Sequence, residues 1–168
     1  MRNVIDLLIV ATFLLVLFLV STNTSRAADY IFRGGPGIGD SGMTGQTKAF
    51  GVRREDAIMD GLRWSAELGA IIDNRPGGKH SVMARAQLGV APGPETGVFG
   101  YAYIGPAAIS SPDARLGSIY QIATDLGFGI RDRDSLMAVG YQHLSNAGLK
   151  APNSGKDHIL FSLGFHFN

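Results

Sequence analysis

The stretch Tyr141 to His158, YQHLSNAGLKAPNSGKDH, gathers histidine, serine, asparagine, glycine and aspartate close to the C-terminus. A serine hydroxyl is a weak nucleophile until a base takes its proton. A carboxylate can orient that base and stabilise the imidazolium it becomes. His143, Ser145 and Asp157 supply these three groups. Asn146 and Asn153 offer amide donors, and Gly148 and Gly155 offer backbone N–H groups, of the kind that hold the oxyanion of an ester's tetrahedral intermediate. The same residue types are common in polar turns, and on spacing alone an ordinary extracellular hairpin loop is the stronger reading. Which one holds depends on where each side chain points.

The elements that must position these groups are short and alternating. Candidate strands begin near Tyr30, Lys48, Gly61, His80, Gly97, Ser118, Ser135 and Asp157. They are separated by DNRPGGK at Asp73 to Lys79, APGPETG at Ala91 to Gly97, SSPDARLG at Ser110 to Gly117 and RDRDS at Arg131 to Ser135. Pro-Gly clusters and charged turns between period-two segments are the punctuation of an all-β meander.

The faces of these strands decide between two architectures. Leu62, Trp64, Ala66, Leu68, Ala70 and Ile72 alternate with Arg63, Ser65, Glu67 and Gly69. Val82, Ala84, Ala86, Leu88 and Val90 alternate with Ser81, Met83, Arg85, Gln87 and Gly89. The polar faces are rich in small residues and carry sparse charges of both signs, Arg63, Glu67, Arg85 and Asp125 among them. That suits a narrow lumen filled with paired side chains better than a solvent face. The last segment, FSLGFHFN, places aromatic residues on alternate positions to the terminus. The pattern predicts an eight-stranded antiparallel transmembrane β-barrel, apolar outside and polar inside, which closes without an exposed edge. A soluble periplasmic β-barrel that binds a lipid inside is the competing architecture.

The N-terminus reads as an export signal. Arg2 gives a short positive start, Leu7 to Val20 is an apolar run with one threonine, and SRA at Ser25 to Ala27 supplies small residues. The run is shorter than the roughly 20 residues of a spanning helix, and the whole fits a cleaved signal peptide over 1–27 followed by a barrel domain over 28–168. An uncleaved inner-membrane anchor is the alternative; either way the remainder is exported.

Within the barrel the period of two gives directions. Met137, Val139, Tyr141, His143 and Ser145 share one face of the seventh strand, and Asp157, Ile159, Phe161, Leu163, Phe165 and Phe167 share one face of the eighth. Both are the lipid face. His143, Ser145 and Asp157 therefore look outward from neighbouring antiparallel strands, where cross-strand Cβ atoms lie roughly 4.5–8 Å apart.

HLSNAGLKAPNSGKD closely resembles the C-terminal signature of the PagL family, the lipid A 3-O-deacylases of Gram-negative outer membranes. His143, Ser145, Asn146, Gly148, Pro152, Asn153, Gly155 and Asp157 carry the resemblance. It is close over Tyr141 to Phe167, and SGMT at Ser41 to Thr44 is a weaker echo. The resemblance implies a serine hydrolase site on the outer barrel surface. Ser145 would be the nucleophile, His143 the general base and Asp157 its orienting acid. Asn153 would contribute to the oxyanion hole, and Asn146 would support the loop. It implies no cofactor, a lipid A or lipopolysaccharide substrate and a membrane setting. The family's acid is typically glutamate; Asp157 is shorter by one methylene, so the backbone must make up the reach. That departure keeps a non-enzymatic structural or adhesive barrel as the alternative.

Other signals are weaker. With 15 Lys+Arg against 14 Asp+Glu there is no basic footprint for nucleic acid, and the absence of cysteine excludes disulfides and thiolate chemistry. GIGDSG at Gly37 to Gly42 matches a dinucleotide spacing but lacks a strand–helix context, and is expected to be a flexible first hairpin turn. His80, His158 and His166 are expected to form lumen hydrogen bonds. Arg53, Arg54, Glu55 and Asp56 are expected at a solvated hairpin end, where the basic pair could meet lipid A phosphates. Trp64, Phe99, Tyr101 and Tyr103 are expected on the outer wall, in an interfacial belt or in ordinary lipid-facing packing. A homodimer is left open.

Overall fold

The computed structural model describes residues 28–39, 42–76, 78–113, 115–151 and 153–167. The expected signal segment, Ser41 of the SGMT echo and Pro152 of the C-terminal signature lie outside them. Eight antiparallel strands run in order: β1 (Ala28–Gly39), β2 (Gly42–Met59), β3 (Leu62–Asp73), β4 (Ser81–Val90), β5 (Gly97–Ile109), β6 (Tyr120–Arg131), β7 (Ser135–Ser145) and β8 (Lys156–Phe167). Each pairs with its neighbour in sequence, and β1 pairs with β8 from Ala28↔Phe167 to Ile38↔Asp157, so the barrel is closed. Closure satisfies every strand edge internally, which lipid requires.

The expected starts agree with the strands to within a few residues except at β2, which opens at Gly42. GIGDSG spans the junction of the first hairpin: Gly37 to Gly39 end β1 and Gly42 begins β2, while Asp40 and Ser41 lie outside the described residues. Packing explains Gly37, where a Cβ would lie 1.7 Å from Thr47 Oγ1. The β1–β2 register shifts between Pro36 and Gly37 at this point.

The two faces divide as the alternation requires. Phe32, Leu68, Val98, Ile104, Phe128 and Phe161 stand more than half exposed on the outer wall. A band of that extent is unfavourable in water and fits lipid. Inside, Arg33, Arg53 and Arg85 surround Glu67 and Asp125, all buried. Glu67 Oε2 accepts from Arg33 Nη1 at 3.1 Å, Arg53 Nε at 3.0 Å and Arg85 Nη2 at 2.5 Å. Asp125 accepts from Arg33 at 3.0 Å, from Arg85 at 3.1 Å and from Arg53. This ionic layer crosses the lumen between two packed clusters of buried side chains, and with the apolar faces turned outward the barrel is of the membrane kind and not a soluble one.

Three expectations need correction. Arg53, Arg54, Glu55 and Asp56 are all buried within β2 and form no hairpin end. Arg53 and Glu55 face the lumen, where Glu55 also accepts from Tyr103 Oη at 2.9 Å. Arg54 and Asp56 face the other way and pair at 3.1 Å, with Arg54 over the Tyr30 ring. Each charge has a partner close by, which is what lets all four be buried. Phe99, Tyr101 and Tyr103 are likewise buried in the lumen and stack on one another, while Trp64 stays on the outer wall. Gly127 and Gly140 make room for Tyr101, whose Oη would lie 2.5 Å and 2.0 Å from Cβ atoms at those positions. Of the histidines, His158 is buried in the lumen and His166 Nδ1 lies 2.8 Å from Asp29 Oδ1. His80 lies instead in the exposed β3–β4 loop, where its Nδ1 accepts the Asp73 N–H at 3.2 Å.

Connections at one end are short (60–61, 91–96, 132–134), and at the other end longer loops span 74–80, 110–119 and 146–155. Short turns are periplasmic and long loops extracellular in such barrels. The β7–β8 loop thus belongs to the extracellular end. Arg53 and Arg54 sit toward the opposite end of β2, away from lipid A in the outer leaflet.

Candidate active site

Strand register brings the acid to the base. His143 and Asp157 are direct cross-strand partners, and Asp157 pairs on its other side with Ile38 of β1. His143 Nδ1 lies 2.7 Å from Asp157 Oδ1, with the two side chains about one-third exposed (35% and 32%). The facing position supplies the reach that the shorter side chain needs. With Nδ1 engaged, Nε2 is the nitrogen left to take a proton. Ser145 ends β7 two residues beyond His143 on the same face, opposite Ile122 of β6, and is partly exposed. One pleat period of roughly 6.5–7 Å separates the two Cα atoms.

Gly155 holds the ring against the backbone. Its φ of +71° favours glycine, and a Cβ there would lie 2.7 Å from His143 Cε1. The chain leaves β7 through a tight turn in which Ala147 and Gly148 both have positive φ (52° and 79°) and Leu149 N–H donates to Asn146 O at 3.0 Å. Two consecutive left-handed residues define a type I′ turn.

Asn146 organises this loop. It is fully buried; its Nδ2 donates to Leu116 O at 2.8 Å and Lys150 O at 2.5 Å, and its Oδ1 accepts Gly148 N–H at 3.0 Å. The Asn146 amide and the Gly148 N–H are therefore committed to the fold of the loop and are not donors for an oxyanion. Asn153 differs: it is exposed, and its Oδ1 accepts Asn146 N–H at 2.8 Å. With that oxygen occupied, the Nδ2 end can turn toward an incoming oxyanion.

Residue types alone did not bring forward two further groups. Tyr141 Oη donates to Asp157 Oδ1 at 2.5 Å, the same oxygen that faces His143; its place two residues before His143 on one face was the available signal. The β5–β6 loop also braces the site. Ser154 N–H donates to Arg115 O at 3.1 Å, and Lys156 Nζ bridges Asp73 at 3.1 Å and Asp113 at 2.5 Å. Asp113 Oδ1 in turn accepts the N–H groups of Arg115 and Leu116. At the extracellular end of β3, the Asp73 carboxylate accepts hydrogen bonds from Arg75 Nε at 2.9 Å and Lys156 Nζ at 3.1 Å. No group of sequence ligands suited to a metal occurs among the described residues.

A family profile described as lipid A 3-O-deacylase (PagL) matches residues 61–166, from β3 to β8. The chain is 34% identical over 62 residues to the lipid A deacylase PagL of Bordetella bronchiseptica, a match covering 36% of this chain and 35% of that protein, so it spans about a third of that relative. The crystal structure of the outer membrane enzyme PagL superposes with a TM-score of 0.64 and 22% identity, over 82% of this chain and 98% of that one. The N-terminal β-barrel domain of Pseudomonas aeruginosa OprF gives a TM-score of 0.62 at 10% identity, over 84% and 97%. Likeness at such identities is a likeness of fold, that of small outer-membrane barrels. The profile match extends over more than half of the chain and includes the whole of the β7–β8 site: the chain belongs to the PagL family of outer-membrane lipid A 3-O-deacylases.

Proposed function

We propose that this barrel hydrolyses the ester-linked hydroxyacyl chain at the 3-position of lipid A and releases a 3-hydroxy fatty acid. Ser145 Oγ attacks the ester carbonyl as His143 Nε2 takes its proton. Asp157 holds Nδ1 and stabilises the imidazolium. The Asn153 amide meets the tetrahedral oxyanion. His143 then returns its proton to the departing sugar oxygen, and water, activated by the same base, clears the acyl-serine. Each proton that leaves a nucleophile returns to a leaving group, so no cofactor is needed. The substrate's acyl chains lie along the apolar outer wall while its ester reaches the rim, after export directed by residues 1–27.

The observation that carries this reading is the His143 Nδ1–Asp157 Oδ1 contact of 2.7 Å on the outward face, with Ser145 one pleat beyond on the same strand. The test is purified protein incubated with defined lipid A in detergent, with products followed by mass. Wild type should release the 3-hydroxy fatty acid, and His143→Ala should lose this by a factor on the order of 10³ or more. An equal release by both proteins would contradict the assignment.

A further inference from the structure

Asp157 Oδ1 receives two donors: His143 Nδ1 at 2.7 Å and Tyr141 Oη at 2.5 Å. Tyr141 and His143 lie on one face of β7, and Asp157 directly faces His143 from β8, so the phenol reaches the carboxylate along the diagonal. Among the described residues these are the two side-chain partners that hold this carboxylate. The site lies on the barrel wall, where Asp157 is about one-third exposed (32%) and no lumen packing surrounds it. A short side chain with only a flexible imidazole as partner would sample several rotamers there. A second donor from the rigid strand that carries the base fixes the carboxylate relative to that base.

We propose that Tyr141 is a positioning residue for the catalytic pair: its hydroxyl locks the Asp157 carboxylate in the orientation that aligns His143 toward Ser145. The inference rests on the esterase reading above and adds a residue to it. Tyr141 acts through Asp157 and does not touch the reacting atoms. One consequence separates this role from simple packing. Loss of the phenol hydroxyl frees the carboxylate to turn, which misaligns the base and lowers kcat with little change in substrate binding.

The experiment uses the full barrel in detergent with lipid A micelles. It measures kcat and KM for wild type, Tyr141→Phe and Ser145→Ala. Heat-modifiable gel mobility confirms that each variant is folded. Tyr141→Phe keeps the ring and should fold. Its kcat should fall on the order of ten- to a hundredfold, with KM within about twofold of wild type. An unchanged kcat would overturn the proposal, as would a raised KM with kcat intact, which would make Tyr141 a substrate contact. The failure of the esterase reading looks different: a wild type with no deacylase activity, or a fully active Ser145→Ala, overturns that reading and the role of Tyr141 with it.

Discussion

Asp157 meets His143 although an aspartate arm is short, because strand register makes the two direct partners and so brings their Cβ atoms within reach. At this scale the site depends on small margins. Gly155 is the clearest case, since a Cβ there would sit 2.7 Å from His143 Cε1 in a backbone already at φ +71°. Gly155→Ala should displace the imidazole by several tenths of an ångström and cost about 1–2 kcal/mol of strain. Deacylation should drop by about tenfold or more while the barrel remains folded, as read by activity beside gel mobility. Full activity in Gly155→Ala would show that the ring has room to spare. Asn146 illustrates the opposite lesson. Its residue type fits an oxyanion donor, yet three of these polar contacts lie inside its own loop and the fourth reaches Leu116 of the β5–β6 loop, so burial and not chemistry assigns its role.

Among the elements, the strands were legible in the sequence because each has one lipid face, and a period of two in hydrophobicity survives wherever that face is continuous. The outward direction of His143, Ser145 and Asp157 followed from the same period. What misled was local charge and aromaticity. Arg53 to Asp56 look like a turn because four consecutive charges are rarely buried, and only the arrangement of distant strands provides Glu67, Asp125 and Tyr103 as the surroundings of Arg53 and Glu55. Phe99, Tyr101 and Tyr103 look like a membrane belt, but glycines on β4, β6 and β7 open the lumen to them. The bracing of the β7–β8 loop was also beyond local reading, since Lys156 at the start of β8 joins Asp73 at the end of β3 to Asp113 in the 110–119 loop. Lys156→Met should therefore loosen the 110–119 loop. Amide exchange there should quicken about ten- to a hundredfold, equivalent to about 1–3 kcal/mol, with the barrel strands still protected. Unchanged exchange in 110–119 would show that the backbone bonds alone hold the loop.

For the whole molecule, the lumen and the outer wall perform separate tasks. The ionic layer of Arg33, Arg53, Arg85, Glu67 and Asp125 fixes the barrel's cross-section, and the reactive groups stand outside it where a lipid can reach them. Three guanidinium groups share two carboxylates in this layer, so removing Asp125 leaves three buried cations around the single carboxylate of Glu67. Asp125→Ala should destabilise the barrel by about 3–5 kcal/mol, measured as a lower urea midpoint for unfolding in detergent; a midpoint equal to wild type would mean that water takes the place of the carboxylate. The separation also implies that the lumen's task is structural, so that changes within it act on stability first and on deacylation only through the shape of the wall.

The central claim is that Ser145 is the nucleophile of a lipid A deacylase on the outer face of this barrel. Mass spectrometry of lipid A from cells expressing wild type or Ser145→Ala, at equal levels of folded barrel, tests it most directly. Wild type should yield lipid A lighter by one hydroxyacyl chain, and Ser145→Ala should leave lipid A at its full mass. Deacylated lipid A from both strains would contradict the account.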